Sequence, residues 1–203
     1  MKILVTGFEP FGGNGYNPSA ALIDRIRTEN SIVVSLLPTS YQRAAAALGE
    51  ALAREKPDAV ILTGVAGGRS EICLEFCALN IKDAQIPDND GEKASGQSVI
   101  PGDCCALFTT LDPGGASQFI RGAGIPCRVS YHAGTYVCNS TYFHALRSGV
   151  PALFMHIPDD ERSRPRENAP FLSLEDDLKA LRLLISFILK KTGEEEAKNA
   201  KTS

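Results

Sequence analysis

The sequence lacks the features that would place it in a membrane or on a nucleic acid. No apolar run reaches the length that spans a bilayer, and the apolar start at residues 1–5 is too short for the core of a signal peptide. The 21 basic residues are fewer than the 24 acidic ones, so the net charge is −3 and no basic stripe is present. We therefore expect neither a membrane nor a nucleic-acid partner.

The spacing of a metal site is also missing. Among the six cysteines, Cys73 and Cys77 have no second pair at zinc-site spacing, and Cys104 and Cys105 are adjacent. Because no export signal is recognisable, we expect all six to be free thiols in a reducing cytosol. The sequence therefore predicts a cytoplasmic protein without a metal.

Phosphate-binding motifs fail in the glycine-rich loop at residues 7–15. Gly7 and Gly12 have the spacing of a Walker motif, but Gly13 and Asn14 stand where lysine and serine or threonine are required. The dinucleotide fingerprint fails as well, because a proline occupies the place of its third glycine. This loop is not predicted to bind a nucleotide.

The same loop carries two aromatic residues, Phe8 and Phe11, directly after the first predicted strand. In open α/β sheets, ligands bind at the carboxyl ends of the strands, so these rings are candidates for a binding pocket. Ordinary core packing is the alternative for both. Asn17 and Pro18 then predict a helix start, with a capping side chain followed by proline at the first helical position.

The order of apolar patterns predicts an α/β fold. Short apolar runs alternate with helical patterns, which is typical of a mostly parallel sheet covered on both faces. At 203 residues we expect one domain, 1–203, with residues 192–203 as a frayed tail and residues 81–103 as a long loop. The predicted strands are 2–6, 32–37, 59–63, 72–80, 125–130 and 152–155, and the predicted helices begin near residues 18, 42, 140 and 174 and end near residues 26, 55, 147 and 193.

One cysteine lies where a thiol could be reactive. The segment AGTYVCN at residues 133–139 joins a predicted strand to a predicted helix, and Cys138 falls at the start of that helix. The first helical turn has free N–H groups and a partial positive charge, which lower the pKa of a thiol and can hold an oxyanion. The alternative is an inert, buried cysteine.

Histidine is scarce, and a cysteine nucleophile needs a base. Of His132, His144 and His156, only His156 follows a buried run at the carboxyl end of a predicted strand. We expect that position to share a sheet edge with the turn at residues 134–138, although a hydrogen-bonded core histidine is an equally good interpretation.

Glu75 is an acidic residue inside an apolar, strand-like segment. A buried carboxylate needs a partner, and an imidazole partner would be oriented by it as in a catalytic triad. The alternative is a solvent-facing position on an edge strand. If Glu75, Cys138 and His156 converge, the implied chemistry is acyl transfer through a thiolate.

The sequence resembles a known family, pyroglutamyl peptidase I, in five short blocks. The matching blocks are TGFEPFGG at 6–13, NPS at 17–19, IPDNDG at 86–91, AGTYVCN at 133–139 and FMHIP at 154–158. The resemblance implies a three-layer α/β/α sandwich, often assembled as a homotetramer, without metal or organic cofactor. It also implies removal of an N-terminal pyroglutamyl residue from peptides.

Roles for individual residues follow from the same resemblance. Cys138 resembles the nucleophile, His156 the general base and acid, and Glu75 the residue that orients the histidine. The resemblance implies a substrate pocket lined by Phe8, Phe11, Ile86 and Val137, with Asn17 supporting the loop. Val65 and Gln85 are also at substrate-binding positions, but both differ from the usual family residue.

Five positions depart from the family pattern. Val65 replaces a common glutamine, Gln85 an arginine, Phe76 a basic residue, Cys73 a hydroxyl residue and His132 a small residue. A family peptidase with drifted N-terminal specificity, or a non-catalytic binding protein on the same fold, is therefore an alternative. A nucleoside phosphorylase-like enzyme is disfavoured because the phosphate motif is missing.

Overall fold

The computed structural model describes the backbone of residues 1–202 and the side chains of residues 1–191. The strands in this part are β1 (Ile3–Phe8), β2 (Ile32–Leu37), β3 (Ala59–Val65), β4 (Ile72–Glu75), β5 (Cys77–Leu79), β6 (Ala106–Phe108), β7 (Cys127–Ser130) and β8 (Ala152–Ile157). The helices are α1 (Pro18–Ile26), α2 (Tyr41–Glu55), α3 (Pro113–Gly122), α4 (Val137–Arg147) and α5 (Leu174–Thr202).

The main sheet has the strand order β2-β1-β3-β8-β4-β7. Strands β2, β1, β3 and β8 are parallel, whereas β4 pairs with β8 in antiparallel fashion and with β7 in parallel fashion. Strands β4 and β7 therefore run opposite to the other four. The prediction of a mostly parallel sheet is confirmed, and β5 pairs with β6 in a separate antiparallel ribbon.

Alternate residues along the strands supply two separate apolar cores. Ile61 and Met155 belong to the core beneath α1, α3 and α5, while Leu62 and Phe154 belong to the core beneath α2 and α4. Because side chains alternate between the two faces of a strand, both faces of the sheet are buried under helices. This arrangement is the predicted three-layer α/β/α sandwich.

Several helix boundaries follow the predicted caps, and others do not. The Asn17 side chain accepts a hydrogen bond from the Ser19 N–H and caps α1, with Pro18 at its first position as predicted. Helix α4 begins at Val137 rather than at Ser140, which brings Cys138 inside its first turn. The predicted strand 72–80 is interrupted at Phe76 between β4 and β5.

Helix α5 continues to Thr202, past the end predicted near Gly193. The predicted frayed tail, residues 192–203, lies outside the residues whose side chains are described, so it stays a prediction. Among the described residues, no helix combines the length and apolar character needed to cross a membrane.

Candidate active site

Cys138 is the second residue of α4 and lies half-buried in its first turn. The chain reverses just before it at Gly134, whose φ of +79° is a conformation that favours glycine. Tyr136 is the N-cap and makes no side-chain capping bond. The N–H groups of this first turn therefore have no side-chain cap competing for them, which suits the stabilisation of negative charge.

The sulfur of Cys138 lies over strand β3. A Cβ built on Gly64 would come within 3.0 Å of this sulfur and within 2.9 Å of the Phe154 ring. Gly64 is the register partner of His156 on the adjoining strand β8. The thiol on α4 thus lies over the strand next to that of His156, at the level of this histidine.

His156 and Glu75 form a buried pair. Nδ1 of His156 is 2.7 Å from Oε1 of Glu75, and the two residues are 5% and 0% exposed. Their strands are antiparallel neighbours in which Glu75 is opposite Phe154 and His156 is opposite Cys73. The contact engages Nδ1, so Nε2 is the ring nitrogen left for proton exchange with a thiol. The solvent-facing alternative for Glu75 is wrong.

Cys138 and Glu75 do not approach His156 from a shared edge of the sheet, as the sequence had predicted. Strand β7 runs opposite to β8, so the turn at residues 134–138 does not start from the sheet edge where His156 lies. The segment 131–136 leads the chain from the end of β7 to the first turn of α4, over β3. Glu75 likewise reaches His156 diagonally from the neighbouring strand β4, rather than from a shared edge.

Arg69 is a site residue that sequence reasoning missed. Its Nη1 is 3.2 Å from Oε1 of Glu75, the same oxygen that contacts His156. Burial raises the pKa of Glu75, but the hydrogen bond and charge of His156, the Ser130 hydroxyl and the Arg69 charge together hold it below its usual value. No periodic pattern distinguished Arg69, because it lies in an irregular segment before β4.

The pKa of Cys138 is raised, contrary to the prediction from its place at a helix start. Burial is the main cause and the negative charge of Glu75 adds to it, whereas the backbone N–H of Cys138 and the Arg69 charge act in the opposite direction. The resulting pKa is about 12. Desolvation therefore outweighs the helix terminus, and the isolated thiol is protonated at neutral pH. A nucleophilic sulfur requires proton transfer to a nearby base.

A small cavity opens beside the sulfur. It is lined by Phe8, Phe11, Asn17, Thr39, Val65, Tyr136, Val137 and Cys138. Five of the seven predicted substrate-binding positions are in this lining. The two others, Gln85 and Ile86, are exposed in the long loop and are not part of it.

Thr39 and Tyr136 line the cavity without having been singled out by the sequence. Tyr136 contacts the Phe11 ring with centroids 6.3 Å apart, and its hydroxyl donates to the Pro87 carbonyl at 3.0 Å. It therefore connects the pocket wall to the long loop. Its place inside the AGTYVCN motif was the signal that could have identified it, whereas Thr39 has no such signal.

His132, another histidine that the sequence offered as a possible base, lies apart from the buried pair of His156 and Glu75. His132 is exposed, and its Nδ1 accepts a hydrogen bond from the Gly134 N–H at 3.2 Å. Among the described residues, no group of three or more histidine, cysteine or acidic side chains is arranged to hold a metal ion. A larger cavity, lined in part by Asp58, Pro151 and Phe187, lies where β3 and β8 begin and hence at the far edge of the sheet.

Comparison with known proteins agrees with this geometry. The family model described as pyroglutamyl peptidase matches residues 1–191. The pyrrolidone-carboxylate peptidase of Thermococcus kodakarensis is 38% identical over 199 residues, covering 94% of this chain and 97% of that protein. The one from Lactobacillus johnsonii is 38% identical over 208 residues, covering 98% and 97%.

Solved structures match over most of the chain as well. Pyroglutamyl peptidase I from Bacillus amyloliquefaciens superposes with a TM-score of 0.87 at 36% identity, covering 90% of this chain and 94% of that one. Pyrrolidone carboxyl peptidase from Thermococcus litoralis gives a TM-score of 0.89 at 33% identity, covering 96% of both. The chain described here belongs to the pyroglutamyl peptidase family of cysteine peptidases.

Proposed function

We propose that this protein hydrolyses the bond after an N-terminal pyroglutamyl residue, with Cys138 as nucleophile, His156 as general base and acid, and Glu75 as the residue that orients His156. The observation that carries these roles is the buried 2.7 Å contact between His156 and Glu75, with the Cys138 sulfur over the adjoining strand at the level of His156. We also propose that residues 1–203 form a single domain.

The chemistry begins with proton transfer. The Cys138 sulfur attacks the carbonyl carbon of the pyroglutamyl amide and forms a C–S bond while its proton moves to Nε2 of His156. The C–N bond then breaks as His156 gives this proton to the leaving amine. Water attacks the thioester and passes a proton to His156, the C–S bond breaks, and the sulfur regains the proton as pyroglutamate leaves.

The surroundings support each charge that develops. The imidazolium formed during attack is stabilised by the Glu75 carboxylate at Nδ1. We assign the oxyanion to the first turn of α4, where N–H groups without a side-chain cap can donate hydrogen bonds to it. Because burial raises the pKa of the Cys138 thiol, the sulfur depends on proton transfer to His156 to become a nucleophile.

The pocket suits a neutral acyl group. Pyroglutamate has no free α-amine, and none of the side chains that line the cavity is a carboxylate. Rings from Phe8, Phe11 and Tyr136 form much of the wall. Flat, uncharged rings are bound well by aromatic surfaces with a few polar contacts.

We also propose a cytoplasmic location and a homotetramer or homodimer, without metal or organic cofactor. The family resemblance supports the assembly, and free cysteines such as the exposed Cys104 and Cys105 suit a reducing compartment. Size-exclusion chromatography with light scattering measures the assembly directly.

The function is tested with a pyroglutamyl amide of 7-amino-4-methylcoumarin at pH 7–8 under reducing conditions. We expect steady release of the fluorophore, and a loss of at least about 1,000-fold in kcat/KM for Cys138→Ala with unchanged thermal unfolding. Wild-type protein that releases no fluorophore would favour a binding protein on the same fold.

A further inference from the structure

Tyr142 lies one helical turn after Cys138, and its hydroxyl reaches the backbone of strand β4. The two residues are four positions apart in α4, so their side chains lie on the same face of this helix. The Cys138 sulfur lies over β3 at Gly64, whereas the Tyr142 hydroxyl donates to the Glu75 carbonyl on β4 at 3.0 Å. This face of α4 therefore contacts both neighbours of β8, the strand that carries His156.

The hydroxyl of Tyr142 does more than fill space. Tyr142 is fully buried, and its ring packs edge-to-face on Phe154 with centroids 5.7 Å apart. A phenylalanine would make the same ring contacts without burying a polar group, and burial of a hydroxyl is unfavourable unless it is hydrogen-bonded. The bond to the Glu75 carbonyl satisfies this hydroxyl, and a satisfied buried polar contact fixes one arrangement of the elements that it joins.

The polar anchor in the first turn of α4 holds a different part of the protein. Asn139 exchanges two hydrogen bonds of 2.8 Å with the backbone of Leu79 at the end of β5, and it donates a third to the Ile81 carbonyl at 3.0 Å. These bonds attach the helix to the two-stranded ribbon, which is separate from the main sheet. Tyr142 therefore supplies what Asn139 does not, a direct polar contact between α4 and the strand of Glu75.

A shared aromatic ring also links Tyr142 to the imidazole. The Phe154 ring that contacts Tyr142 has its centroid 4.4 Å from that of the His156 ring. The same ring lies close to the thiol, since a Cβ on Gly64 would be 2.9 Å from Phe154 and 3.0 Å from the Cys138 sulfur. A change in the position of Tyr142 would therefore shift the thiol and the imidazole relative to each other.

We propose that Tyr142 is a positioning residue, whose hydrogen bond to the Glu75 carbonyl fixes α4 over β8 so that the Cys138 thiol can pass its proton to His156. This inference rests on the proposed function and concerns the same site. Tyr142 is not among the residues that line the acyl pocket, so its loss should affect the chemical step rather than the binding of substrate. A displacement of about 1 Å between reacting groups can lower a rate by about 100-fold.

The test is Tyr142→Phe, which removes one oxygen and keeps the ring. On the pyroglutamyl amide of 7-amino-4-methylcoumarin we expect kcat to fall about 10- to 100-fold, while KM changes by less than about threefold. The matched control is Ser117→Ala. The buried Ser117 hydroxyl likewise joins a helix to a strand, because it donates from α3 to the Cys127 carbonyl of β7 at 3.1 Å, but it lies on the other face of the sheet. This variant should keep the wild-type kcat.

The reactivity of the thiol supplies a second readout that needs no substrate. Iodoacetamide alkylates the thiolate, and Cys138 depends on a base to lose its proton. In Tyr142→Phe we expect alkylation of Cys138 at pH 7 to slow by at least about tenfold, whereas the exposed Cys104 and Cys105 should react as in the wild type. Loosened packing alone would act in the opposite direction, because it makes a half-buried thiol more accessible.

Each outcome decides the proposal. A folded Tyr142→Phe with wild-type kcat, an equal loss of kcat in Ser117→Ala, or faster alkylation of Cys138 would overturn it. A Tyr142→Phe that does not fold would show that the hydroxyl supports the whole fold rather than the site, and would overturn the proposal too. Wild-type protein that cleaves no pyroglutamyl amide would instead overturn the proposed function, and the alkylation rates would then decide the placement of the thiol on their own.

Discussion

The Cys138 sulfur lies only 3.0 Å from the position that a Cβ atom on Gly64 would occupy. Because residue 64 of β3 has no side chain, the thiol can approach the sheet beside His156. Backbone freedom is not the reason for this glycine, because Gly64 is not among the residues with positive φ. Its function is to leave room.

Gly64→Ala is therefore expected to displace the sulfur. The added methyl group would meet Sγ at 3.0 Å and the Phe154 ring at 2.9 Å, which is closer than ordinary packing allows. We expect kcat/KM on the pyroglutamyl amide to fall about 100-fold and stability to fall by about 1–3 kcal/mol. Steady-state kinetics and urea unfolding measure the two effects.

The matched control is Gly49→Ala. Gly49 lies within α2, and a Cβ there would have nothing within 4 Å. This variant should keep full activity and gain about 0.5–1 kcal/mol of stability. Full activity in Gly64→Ala would show that the sulfur is not held against the sheet in the way described.

Arg69 is a positioning residue whose loss should change the pH dependence. Its guanidinium helps to keep the pKa of Glu75 low, so Arg69→Met should raise that pKa. A protonated Glu75 no longer accepts from Nδ1 of His156, and the acid limb of the kcat/KM profile should move to higher pH. Arg69→Lys retains the charge and should restore the profile in part.

A purely structural role for Arg69 predicts a different result. In that case Arg69→Met would lower kcat/KM by the same factor at every pH and would lower the unfolding midpoint. A profile that keeps its shape in Arg69→Met would contradict the proposed electrostatic coupling to Glu75.

Glu75→Gln tests the orientation of His156. The substitution keeps the size of the side chain but removes the negative charge that stabilises an imidazolium at 2.7 Å. By analogy with triads in which a carboxylate is replaced by its amide, we expect kcat to fall by roughly 10³- to 10⁴-fold with little change in KM. If kcat fell less than tenfold, Glu75 would be a structural partner of His156 only.

Asp177 predicts how stability depends on pH. It is 0% exposed on α5, and neither carboxylate oxygen has a hydrogen-bond partner among the residues whose side chains are described. Burial, together with the charges of Asp160, Asp176 and Glu161, raises its pKa to about 8. The folded state thus keeps a proton that the unfolded chain releases near pH 4, so stability falls as pH rises from about 4 to about 8.

Asp177→Asn should remove this dependence. We expect its urea midpoint to exceed that of the wild type at pH 8 and to approach it at pH 5, because only the ionised carboxylate is destabilising. Asp112→Asn is the control, since Asp112 accepts a hydrogen bond from the Gly115 N–H at the start of α3 and is not one of the charges that act on Asp177, so its replacement should act similarly at both pH values. Equal effects of Asp177→Asn at pH 5 and pH 8 would argue against a neutral, buried Asp177.

The parts of the fold that depend on local pattern could be predicted from the sequence. Apolar periodicity identified the strands around Ile61 and Met155, and the cap at Asn17 located the start of α1. The reversed direction of β4 and β7 could not be predicted, because no local residue preference encodes the orientation of a strand relative to a distant neighbour.

In the candidate site, too, local sequence identified some residues, whereas others depend on tertiary contacts. Cys138, Glu75 and His156 each stood out locally, as a thiol at a helix start, a carboxylate among apolar residues and a rare histidine. Arg69 depends on a tertiary contact and was missed. The sign of the Cys138 pKa shift was wrong, because the sequence shows the helix terminus but not the degree of burial that outweighs it.

The central claim, that hydrolysis proceeds through a thioester on Cys138, is tested most directly by trapping the intermediate. A pyroglutamyl amide with a fast leaving group is mixed with the enzyme, quenched in acid within the first turnovers and digested for mass spectrometry. We predict a pyroglutamyl group on the peptide that contains Cys138 and on none with the other five cysteines. Sustained turnover by Cys138→Ala, or an acyl group on a different residue, would contradict it.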